Sequence, residues 1–550
     1  MLRNEVYTVK KILGFFLMLT VLFALVACGN GGEETPEPTD TPTASIAGVA
    51  QVTLNAGDTF DPLTGVTATD RVTGNITSSI VVEGIANLNL STAGNYTLTY
   101  KVTGSDGKEV SVTRLIVVLT ASGCGVHQEF VNGVCVDIPA TVIRIMHGAP
   151  YEVDPFDANY SGTEQQAKQE RHQEVEELFN VDIQYLPYPA NAPWGPDRVT
   201  AIIQSSISGD HLSEIYWSVS DWIQQLVLGE AIVPVDQYMS TLGQNIDPSY
   251  QEIGSYRDSI YGFEVGKLTV DAGLYYNADL VASLGVDNPT ELFLAGQWTW
   301  STFETWATAV QTALNSLGPD RYALGGMLSY YAENMVPLNG GSLINKDTGR
   351  VAFAQNPALA TYDFINSLYV KGLFEPVPAY DAGSPTWMSG QIAMHPGQLW
   401  FVTADNRWGG LPFELGFVPY PTSDTYTGEY VSPISGVALY HIASGMTPEK
   451  EELVFEVWNA LQLWKTDDQY ADEFELTLMT KFDQEIYVEA YLAIYDKIYL
   501  DLINAVGIGA YGENGWRRNI NLGIREGTSR TLMDQIKPIY DAALEDYLGN

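Results

Sequence analysis

Aromatic and planar polar side chains follow two of the strands that the sequence predicts. In "SEIYWSVSDW", Trp217, Ser220, Asp221 and Trp222 lie at or just after a short apolar strand. In "WMSGQIAMHPGQLWF", Trp400 follows a second apolar strand and a Pro-Gly loop. Aromatic rings stack on the apolar C–H faces of sugars, and planar polar groups satisfy the hydroxyls. These residues therefore predict a binding site in a cleft, for a ligand that offers both apolar and hydrogen-bonding surface.

Motifs for catalysis, nucleotides and metals do not accompany these residues. The chain has no H-E-x-x-H, C-x-x-C, G-x-S-x-G or P-loop motif, and no G-x-G-x-x-G between a strand and a helix. Asp154, Asp157 and Asn159 lie close together but lack the EF-hand spacing, which favours a solvated loop. We therefore expect no enzyme activity, no metal and no cofactor. Glycosidase-type carboxylate pairs stay open, because acidic residues are frequent.

The elements that must position these residues alternate between strand and helix from about residue 140 onward. "ATVIRIMHG", "VDIQYLPYP" and "SEIYWSV" predict strands, and the helical segments "GTEQQAKQERHQEVEELFN" and "DRVTAIIQSSISG" lie between them. Such alternation predicts parallel strands in a doubly wound sheet, whose ligands bind beyond the carboxyl ends of the strands. The loops that begin at His147, Trp217 and His395 are therefore the ones to examine.

Residues 46–120 have a different character. They are rich in Val and Thr, and "NYTLTYKVTG" alternates strictly between apolar and polar residues, which predicts a half-buried strand. Several short strands in so few residues predict a β-sandwich. "AGNYTLTY" resembles the tyrosine corner of Ig-like domains, and the whole segment resembles the small Ig-like modules of bacterial surface proteins. Such modules are usually spacers; a carbohydrate-binding or adhesin role is the alternative.

Residues 140–550 resemble the family 1 extracellular solute-binding proteins of ABC importers, the group that includes maltose- and oligosaccharide-binding proteins. The resemblance is carried, in order, by "EIYWSVSDWIQQLVLGEAIVPVDQY", "GKLTVDAGLYYNADLVASLGVDNP", "WTWSTFETWATAV", "WMSGQIAMHPGQLWF", "LGFVPYPTSD" and "SGVALYHIASGMTPEKEELVFEVWNALQ". It implies an α/β periplasmic-binding-protein-like fold, in which two lobes close on a ligand. The implied chain crossings between the lobes lie near 266–273 and 418–424.

The resemblance also implies ligand-binding residues beyond those that follow the strands. Trp400 matches a tryptophan of the family's cleft, and "LSYYAENMVPLNGG" resembles a ligand-facing aromatic loop of the second lobe. "YGENGWRRNI" matches a late aromatic segment of the cleft. The residues implied in this way are Tyr330, Tyr331, Glu333, Trp516 and Arg518. The remaining tryptophans are interpreted as structural. Trp387, Trp458 and Trp464 are expected to pack in the core. Trp298, Trp300 and Trp306 are expected to form apolar contacts that hold the start of a helix.

The first 27 residues predict an export signal, because a basic start is followed by an apolar run that ends in small residues. The run closes with "LVACG", which resembles the lipobox of bacterial lipoproteins and makes Cys28 the lipidated residue. An ordinary signal peptide with a chance cysteine is the alternative. Residues 28–45 are polar and rich in Pro and Thr, which predicts a flexible tether. We therefore expect lipid anchoring to the outer face of the cell membrane, in a host without an outer membrane.

Cys124 and Cys135 flank a short loop in the linker 121–139. Outside the cell such a pair predicts a disulfide, and two free thiols are the alternative.

The formal net charge of −40 arises from 67 acidic and 27 basic residues, which argues against nucleic acid or an anionic bilayer as a partner. The sequence as a whole predicts a monomeric binding protein that captures a carbohydrate, such as an oligosaccharide, and delivers it to the permease of an ABC importer. The alternatives are an adhesin that works through the Ig-like module, a secreted glycosidase or lyase, and a binding protein for a peptide or an organic anion. Arg517 and Arg518 are the residues that an anion would use.

Overall fold

The computed structural model describes residues 43–119, 127–131, 134–209, 211–345, 348–376, 381–404, 406–434 and 436–549. The chain forms two compact units, Met1–Ile138 and Pro139–Asn550. The predicted signal peptide, nearly all of the predicted tether with Cys28, and Cys124 of the predicted disulfide lie outside the described residues. The anchor and the disulfide therefore stay predictions.

The first unit contains two β-sheets and a separate hairpin. The sheets have the strand orders β1–β3–β4 and β2–β7–β6–β5, and β8 pairs with β9 in the hairpin. The strands are β1 Ala44–Ala47, β2 Val52–Asn55, β3 Thr67–Asp70, β4 Gly74–Asn75, β5 Val81–Glu83, β6 Gly94–Thr103, β7 Glu109–Leu119, β8 Gln128–Val131 and β9 Val134–Asp137.

Strand β6 has the alternation that the sequence predicts. Leu98, Tyr100 and Val102 are buried in the core of this unit, whereas the residues between them are more exposed. The hydroxyl of Tyr96 donates to the carbonyl of Thr92 at 2.9 Å. This bond to the backbone a few residues upstream is the contact that defines a tyrosine corner, and it confirms the predicted Ig-like architecture.

The second unit has fourteen described strands and seventeen described helices. The strands are β10 Thr141–His147, β11 Val181–Pro187, β12 Ile215–Val219, β13 Ser255–Tyr256, β14 Ser259–Ile260, β15 Ala272–Asn277, β16 Tyr322–Leu324, β17 Ile344–Asn345, β18 Arg350–Val351, β19 Ile392–Gln398, β20 Leu415–Val418, β21 Ser432–Ile434, β22 Ala438–Ile442 and β23 Ile498–Leu500. The helices are α1 Pro150–Val153, α2 Gln165–Phe179, α3 Gly195–Ser208, α4 Ile223–Leu228, α5 Asp236–Met239, α6 Pro248–Ile253, α7 Ala278–Leu284, α8 Pro289–Leu294, α9 Trp300–Asn315, α10 Leu328–Met335, α11 Ala358–Val370, α12 Pro385–Met388, α13 Pro448–Leu461, α14 Asp467–Lys481, α15 Glu485–Leu492, α16 Trp516–Glu526 and α17 Ser529–Leu548.

Lobe 1 is built on the sheet β11–β10–β12–β22. Strand β10 pairs in parallel with β11 and β12, as the strand–helix alternation predicts, and β22 joins the edge in the antiparallel direction. The parallel strands therefore all end at the same edge of the sheet, which carries the loops after His147, Pro187 and Val219.

Lobe 2 is built on the sheet β16–β19–β15–β20. Strand β15 is antiparallel to β19 and β20, and β16 is parallel to β19. The strands read as continuous apolar runs, such as Leu274, Tyr275 and Tyr276 in β15, because helices cover them and they are fully buried.

The chain crosses between the lobes three times. The first crossing, 264–271, leads from Phe263, which pairs with Tyr440 in lobe 1, to β15 in lobe 2. The second crossing lies at 432–434 and 436–437, and the third, at 462–466, joins α13 to α14.

The prediction that the second crossing lies at 418–424 is therefore wrong. After β20, the chain stays on lobe 2, because the carbonyl of Pro419 accepts the indole N–H of Trp298 at 2.9 Å. The carbonyl of Thr422 accepts the main-chain N–H of Trp300, also at 2.9 Å. These bonds hold the segment against the start of α9, and the crossing comes later.

None of the helices in the described ranges combines the length and the apolar character that a membrane span requires.

Candidate functional site

Aromatic side chains from three strand-end segments of lobe 1 form a continuous cluster. Trp217 in β12 lies 4.5 Å from the ring of His147 at the end of β10, measured between ring centroids. Trp194, in the segment after β11, lies 6.1 Å from Trp217 and 4.8 Å from Trp222. Trp194 is 52% exposed, so the cluster presents aromatic surface to solvent. We call these four residues the aromatic wall.

The sequence analysis included Trp217 and Trp222 in this site but not Trp194. The tryptophan stands in "PYPANAPWGPD", which has no periodicity that would assign it to an element. Its position after a predicted parallel strand was the one available signal, since loops after such strands meet at one edge.

An arginine supports the aromatic wall from within lobe 1. The guanidinium carbon of Arg198 lies 4.0 Å from the ring centroid of Tyr188 and 4.9 Å from that of Trp194. The hydroxyl of Tyr188 donates to the carbonyl of Trp217 at 2.7 Å. Cation–π stacking and this hydrogen bond hold two of the indoles in fixed positions.

His147 is a neutral member of the wall. Burial lowers its pKa to about 4, and the nearby charge of Arg198 acts in the same direction, against the bond from Ala149. Its Nδ1 accepts the main-chain N–H of Ala149 at 3.0 Å. The proton of the neutral ring therefore lies on Nε2, which is a hydrogen-bond donor.

Ser220 and Asp221 hold the second crossing. The main-chain N–H of Val437 donates to Oγ of Ser220 at 3.1 Å, and the N–H of Gly436 donates to Oδ1 of Asp221 at 2.8 Å. Burial raises the pKa of Asp221, whereas its bond from Gly436 and the charge of Arg517 in lobe 2 oppose the rise. Both side chains therefore hydrogen-bond the second crossing, and ligand contact by Ser220 and Asp221 stays a prediction.

Lobe 2 contributes a polar cluster around Arg517. Nη2 of Arg517 forms an ion pair with Glu333 at 2.9 Å, and its guanidinium carbon lies 5.1 Å from the ring of Tyr330. Nη1 lies 3.5 Å from the hydroxyl of Tyr511, which is exposed. Burial alone would lower the pKa of Arg517, but the charge of Glu333 raises it well above its ordinary value. Tyr330 and Glu333 thus contact the same arginine, and ligand contact by either residue stays a prediction.

Tyr331 lies in the core of lobe 2 instead of the cleft. It is 0% exposed, its hydroxyl donates to the carbonyl of Gly325 at 3.2 Å, and its ring lies 6.1 Å from that of Tyr420. Neighbouring residues of a helix point about 100° apart, so Tyr330 and Tyr331 of α10 cannot both face the cleft.

In the segment that contains Trp516 and Arg518, the side chain that reaches the polar cluster is that of Arg517, one position away from each predicted residue. Trp516 is 0% exposed, and its main-chain N–H donates to the hydroxyl of Tyr540 at 2.9 Å, so it packs in the core. Arg518 is exposed, and its main-chain N–H donates to the carbonyl of Ala510 at 3.2 Å. Arg517 between them is the residue that reaches Glu333, because the phase of α16 turns it toward α10.

Trp400 and Trp387, on either side of β19, differ in exposure. Trp387 is 0% exposed, which confirms the prediction that it packs in the core. Trp400 is 45% exposed; its indole N–H donates to Oε1 of Gln398 at 2.9 Å, and one edge contacts Phe401. Arg407 lies 5.1 Å from its ring. The remaining surface is open to a ligand, and ligand contact by Trp400 stays a prediction.

Trp400 lies next to the first crossing. The main-chain N–H of Leu399 donates to the carbonyl of Asp271 at 2.9 Å. Burial raises the pKa of the Asp271 side chain to about 6, and its bonds from the amides of Leu399 and Trp400 oppose the rise. The main chain beside Trp400 is therefore hydrogen-bonded to the first crossing.

The other predicted structural tryptophans are largely covered. Trp298, Trp306 and Trp458 are buried, and Trp300 and Trp464 are half-buried. Trp298 packs edge-to-face on Phe303 in the first turn of α9, which agrees with the predicted contacts at the start of that helix.

A cavity of about 350 Å³ lies between the lobes. Its walls come from lobe 1, the first crossing, the third crossing and α14, represented by Lys168, Gly266, Lys465 and Tyr470. No residue of the aromatic wall lines it, and neither do Trp400 and Arg517, so it is not part of the candidate site. Lys465 crosses its rim, with an ion pair of 2.6 Å to Glu164 and one of 2.9 Å to Glu473.

Among the described residues, no group of three or more His, Cys, Asp or Glu side chains could hold a metal ion.

Comparison with protein families identifies the class of protein. Residues 166–447 match the family of bacterial extracellular solute-binding proteins, and residues 44–118 match the Ig-like domain of bacterial surface proteins. The first match covers more than half of the chain, and the chain belongs to the bacterial extracellular solute-binding protein family. No curated protein sequence matches the chain.

Solved structures share the fold of the second unit at low sequence identity. The cyclic α-maltosyl-1,6-maltose binding protein of Arthrobacter globiformis is 14% identical, with a TM-score of 0.52 over 74% of this chain and 100% of its own. An ABC substrate-binding protein of Listeria monocytogenes in complex with cycloalternan is 14% identical, with a TM-score of 0.51 over 74% and 99%. A protein of Mycobacterium tuberculosis in complex with glycerophosphocholine has the same identity and TM-score over 73% and 99%. These likenesses confirm the periplasmic-binding-protein-like fold.

Proposed function

We propose that this protein captures a carbohydrate, such as an oligosaccharide, between its lobes and delivers it to the permease of an ABC importer. In this proposal, the lipid on Cys28 and the tether 28–45 keep the protein at the outer face of the cell membrane, as a monomer. Capture followed by release needs no chemical change in the ligand.

The aromatic wall is the observation that carries the proposal. Trp194, Trp217 and Trp222 present indoles within one small area at the strand ends of lobe 1. Stacked indoles suit the flat apolar faces of sugar rings and give little affinity to a small polar ion. A wall made of several rings suits a ligand of more than one sugar residue.

Polar groups of lobe 2 complement this wall. Tyr330, Glu333 and Arg517 offer a ring, a carboxylate and a guanidinium in one cluster. Planar polar side chains of these types bind sugar hydroxyls in pairs. The charges of Arg517 and Glu333 act on the pKa of Asp221 in lobe 1, which supports a ligand site that both lobes share.

The fold neighbours are consistent with the proposal without deciding it. One of them is named a cyclic α-maltosyl-1,6-maltose binding protein, one is in complex with cycloalternan, and one is in complex with glycerophosphocholine. The aromatic wall therefore supports the choice of a saccharide, and the fold supports only the two-lobed capture.

Titration calorimetry of the whole protein against a panel of oligosaccharides tests the proposal. We expect one ligand per chain, recovered chemically unchanged, and stabilisation of about 2.7 kcal/mol when the ligand is present at 100 times its Kd. Trp217→Ala should weaken binding, while Trp387→Ala should lower stability and leave affinity within about 1 kcal/mol.

The same experiment separates the alternatives. Cleavage of the saccharide would indicate a glycosidase or lyase. Binding that survives removal of residues 139–550 would indicate an adhesin that uses the Ig-like module. Binding of peptides or organic anions, but of no saccharide, would contradict the proposal.

A further inference from the structure

Arg198 carries a buried charge that no acidic group in the described part of the chain neutralises. Its side chain is 2% exposed, and it forms no ion pair with any residue in the described ranges. Nη2 donates to the carbonyl of Pro193, while Nε and Nη1 have no hydrogen-bond acceptor. In a chain with 67 acidic and 27 basic residues, such an arginine is unexpected.

The half-buried Arg517 in lobe 2 shows the usual way in which such a charge is compensated. Arg517 pairs with Glu333 at 2.9 Å, so its charge is already compensated. Arg198 is surrounded by three aromatic rings and contacts no carboxylate among the described residues. Its guanidinium carbon lies 4.0 Å from the ring centroid of Tyr188, 4.9 Å from that of Trp194 and 5.7 Å from that of Trp217. These rings attract the cation, but they leave the N–H groups of Nε and Nη1 without an acceptor.

The guanidinium lies directly under the aromatic wall. A Cβ added to the exposed Gly148 would lie 3.3 Å from Nη1 of Arg198 and 3.0 Å from the ring of Trp217. Of the three rings around the guanidinium, Trp194 is the most exposed, at 52%. A small rotation of Trp194 would therefore open a path from the solvent to the unpaired nitrogens.

We propose that the ligand is an acidic saccharide, whose carboxylate pairs with Arg198 while its sugar ring stacks on Trp194 and Trp217. This inference rests on the proposed function and adds the chemical class of the saccharide. A guanidinium binds a carboxylate through parallel N–H bonds, which fits the donors that lack acceptors. The neutral His147 beside it places no second positive charge in the subsite.

Because the protein has a large negative net charge, an acidic ligand needs a positively charged group in direct contact with it. A surface with a formal net charge of −40 repels an anion at long range. Salt screens this repulsion but has less effect on a buried pair. Added salt should therefore speed the association of an acidic saccharide and change that of a neutral one little or not at all.

Calorimetry of the whole protein with one saccharide in two charge states tests the inference. The probes are a short oligogalacturonate and its methyl ester, which keeps the rings and removes the charges. We expect the acid to bind about 10- to 100-fold more tightly than the ester. Arg198→Gln should abolish that preference, and Arg198→Lys should keep part of it. Arg530→Gln, at an exposed arginine of α17, is the matched control and should change nothing.

The outcomes distinguish failure of this inference from failure of the proposed function. Equal affinity for the acid and the ester in the wild-type protein would overturn the inference and leave carbohydrate capture intact. The inference would also be overturned if Arg198→Gln weakened the binding of the acid and the ester equally, because the arginine would then only support the aromatic wall. No binding of the acid, the ester or any neutral saccharide would overturn both proposals. The wild-type comparison needs no variant, so it stands even if Arg198→Gln fails to fold.

Discussion

Replacement of Trp400 by alanine distinguishes a ligand-binding side chain from a structural one. The indole is 45% exposed and has no partner on its open side among the described residues beyond Arg407. A tryptophan side chain buries up to about 250 Å² when fully covered, so about 110 Å² remains for a ligand. At about 25 cal/mol per Å², complete coverage is worth at most about 3 kcal/mol.

We therefore expect Trp400→Ala to weaken binding by about 1–3 kcal/mol, roughly 5- to 150-fold. The cost to the free energy of unfolding should be smaller, about 1–2 kcal/mol, because half of the ring is already hydrated and its removal leaves no closed cavity. Trp387→Ala is the matched control. Its fully buried ring should cost about 3–5 kcal/mol of stability.

The assay combines ligand titration by calorimetry with thermal unfolding of the ligand-free protein, for the wild type and both variants. Affinity should fall in Trp400→Ala and stability in Trp387→Ala. An unchanged affinity with a strongly lowered melting temperature in Trp400→Ala would refute the reasoning, since it would show that the ring serves the fold.

Three further predictions concern the anchor, the disulfide and the response to pH. Cys28→Ser should release the protein into the medium, and a variant that stays with the membrane after a carbonate wash would contradict the lipobox. Cys124 and Cys135 should appear as one joined peptide in a non-reduced digest by mass spectrometry; two alkylatable thiols in native protein would show that they are not bonded. Burial lowers the pKa of His441 to about 4 from its ordinary 6.5, so the unfolded chain takes up the proton first as the pH falls. The contribution of the neutral His441 to the free energy of unfolding should therefore be fully present above pH 6.5. It should decrease by up to about 1.4 kcal/mol per pH unit as the pH falls from 6.5 to 4. Urea unfolding at pH 7 and pH 5 should show a smaller difference in His441→Gln than in the wild type, and equal differences would mean that His441 does not contribute.

The local patterns of the sequence predicted the main elements of both units. Strand β6 has its alternate residues in the core, since side chains of a strand point to opposite faces in turn. Strands β10, β11 and β12 are parallel neighbours, because helices between them return the chain to the same edge. These outcomes depend on periodicity and connection length, which are properties of short segments.

Which residues of each predicted segment face the candidate site depended on how the elements pack against one another. Arg517, and not Arg518, meets Glu333, because one residue of difference turns a helical side chain by about 100°. Motif matching gives the segment but cannot give that phase to within one residue. The second crossing came later than predicted for a similar reason, since bonds to the start of α9 keep 419–422 on lobe 2.

The sequence by itself determined that the chain has a β-sandwich module followed by a strand–helix unit, because both follow from ordered local patterns. The Ig-like and two-lobed character of these units came from motifs that resemble known families. Only the tertiary structure decided that Trp194 joins Trp217 and Trp222, and that Arg198 is buried among aromatic rings without an acidic partner. These residues lie on separate elements, and their contacts exist only after the parallel strands bring their ends to one edge of the sheet. Burial then makes the unpaired charge of Arg198 significant, since the same arginine on a hydrated surface would need no partner.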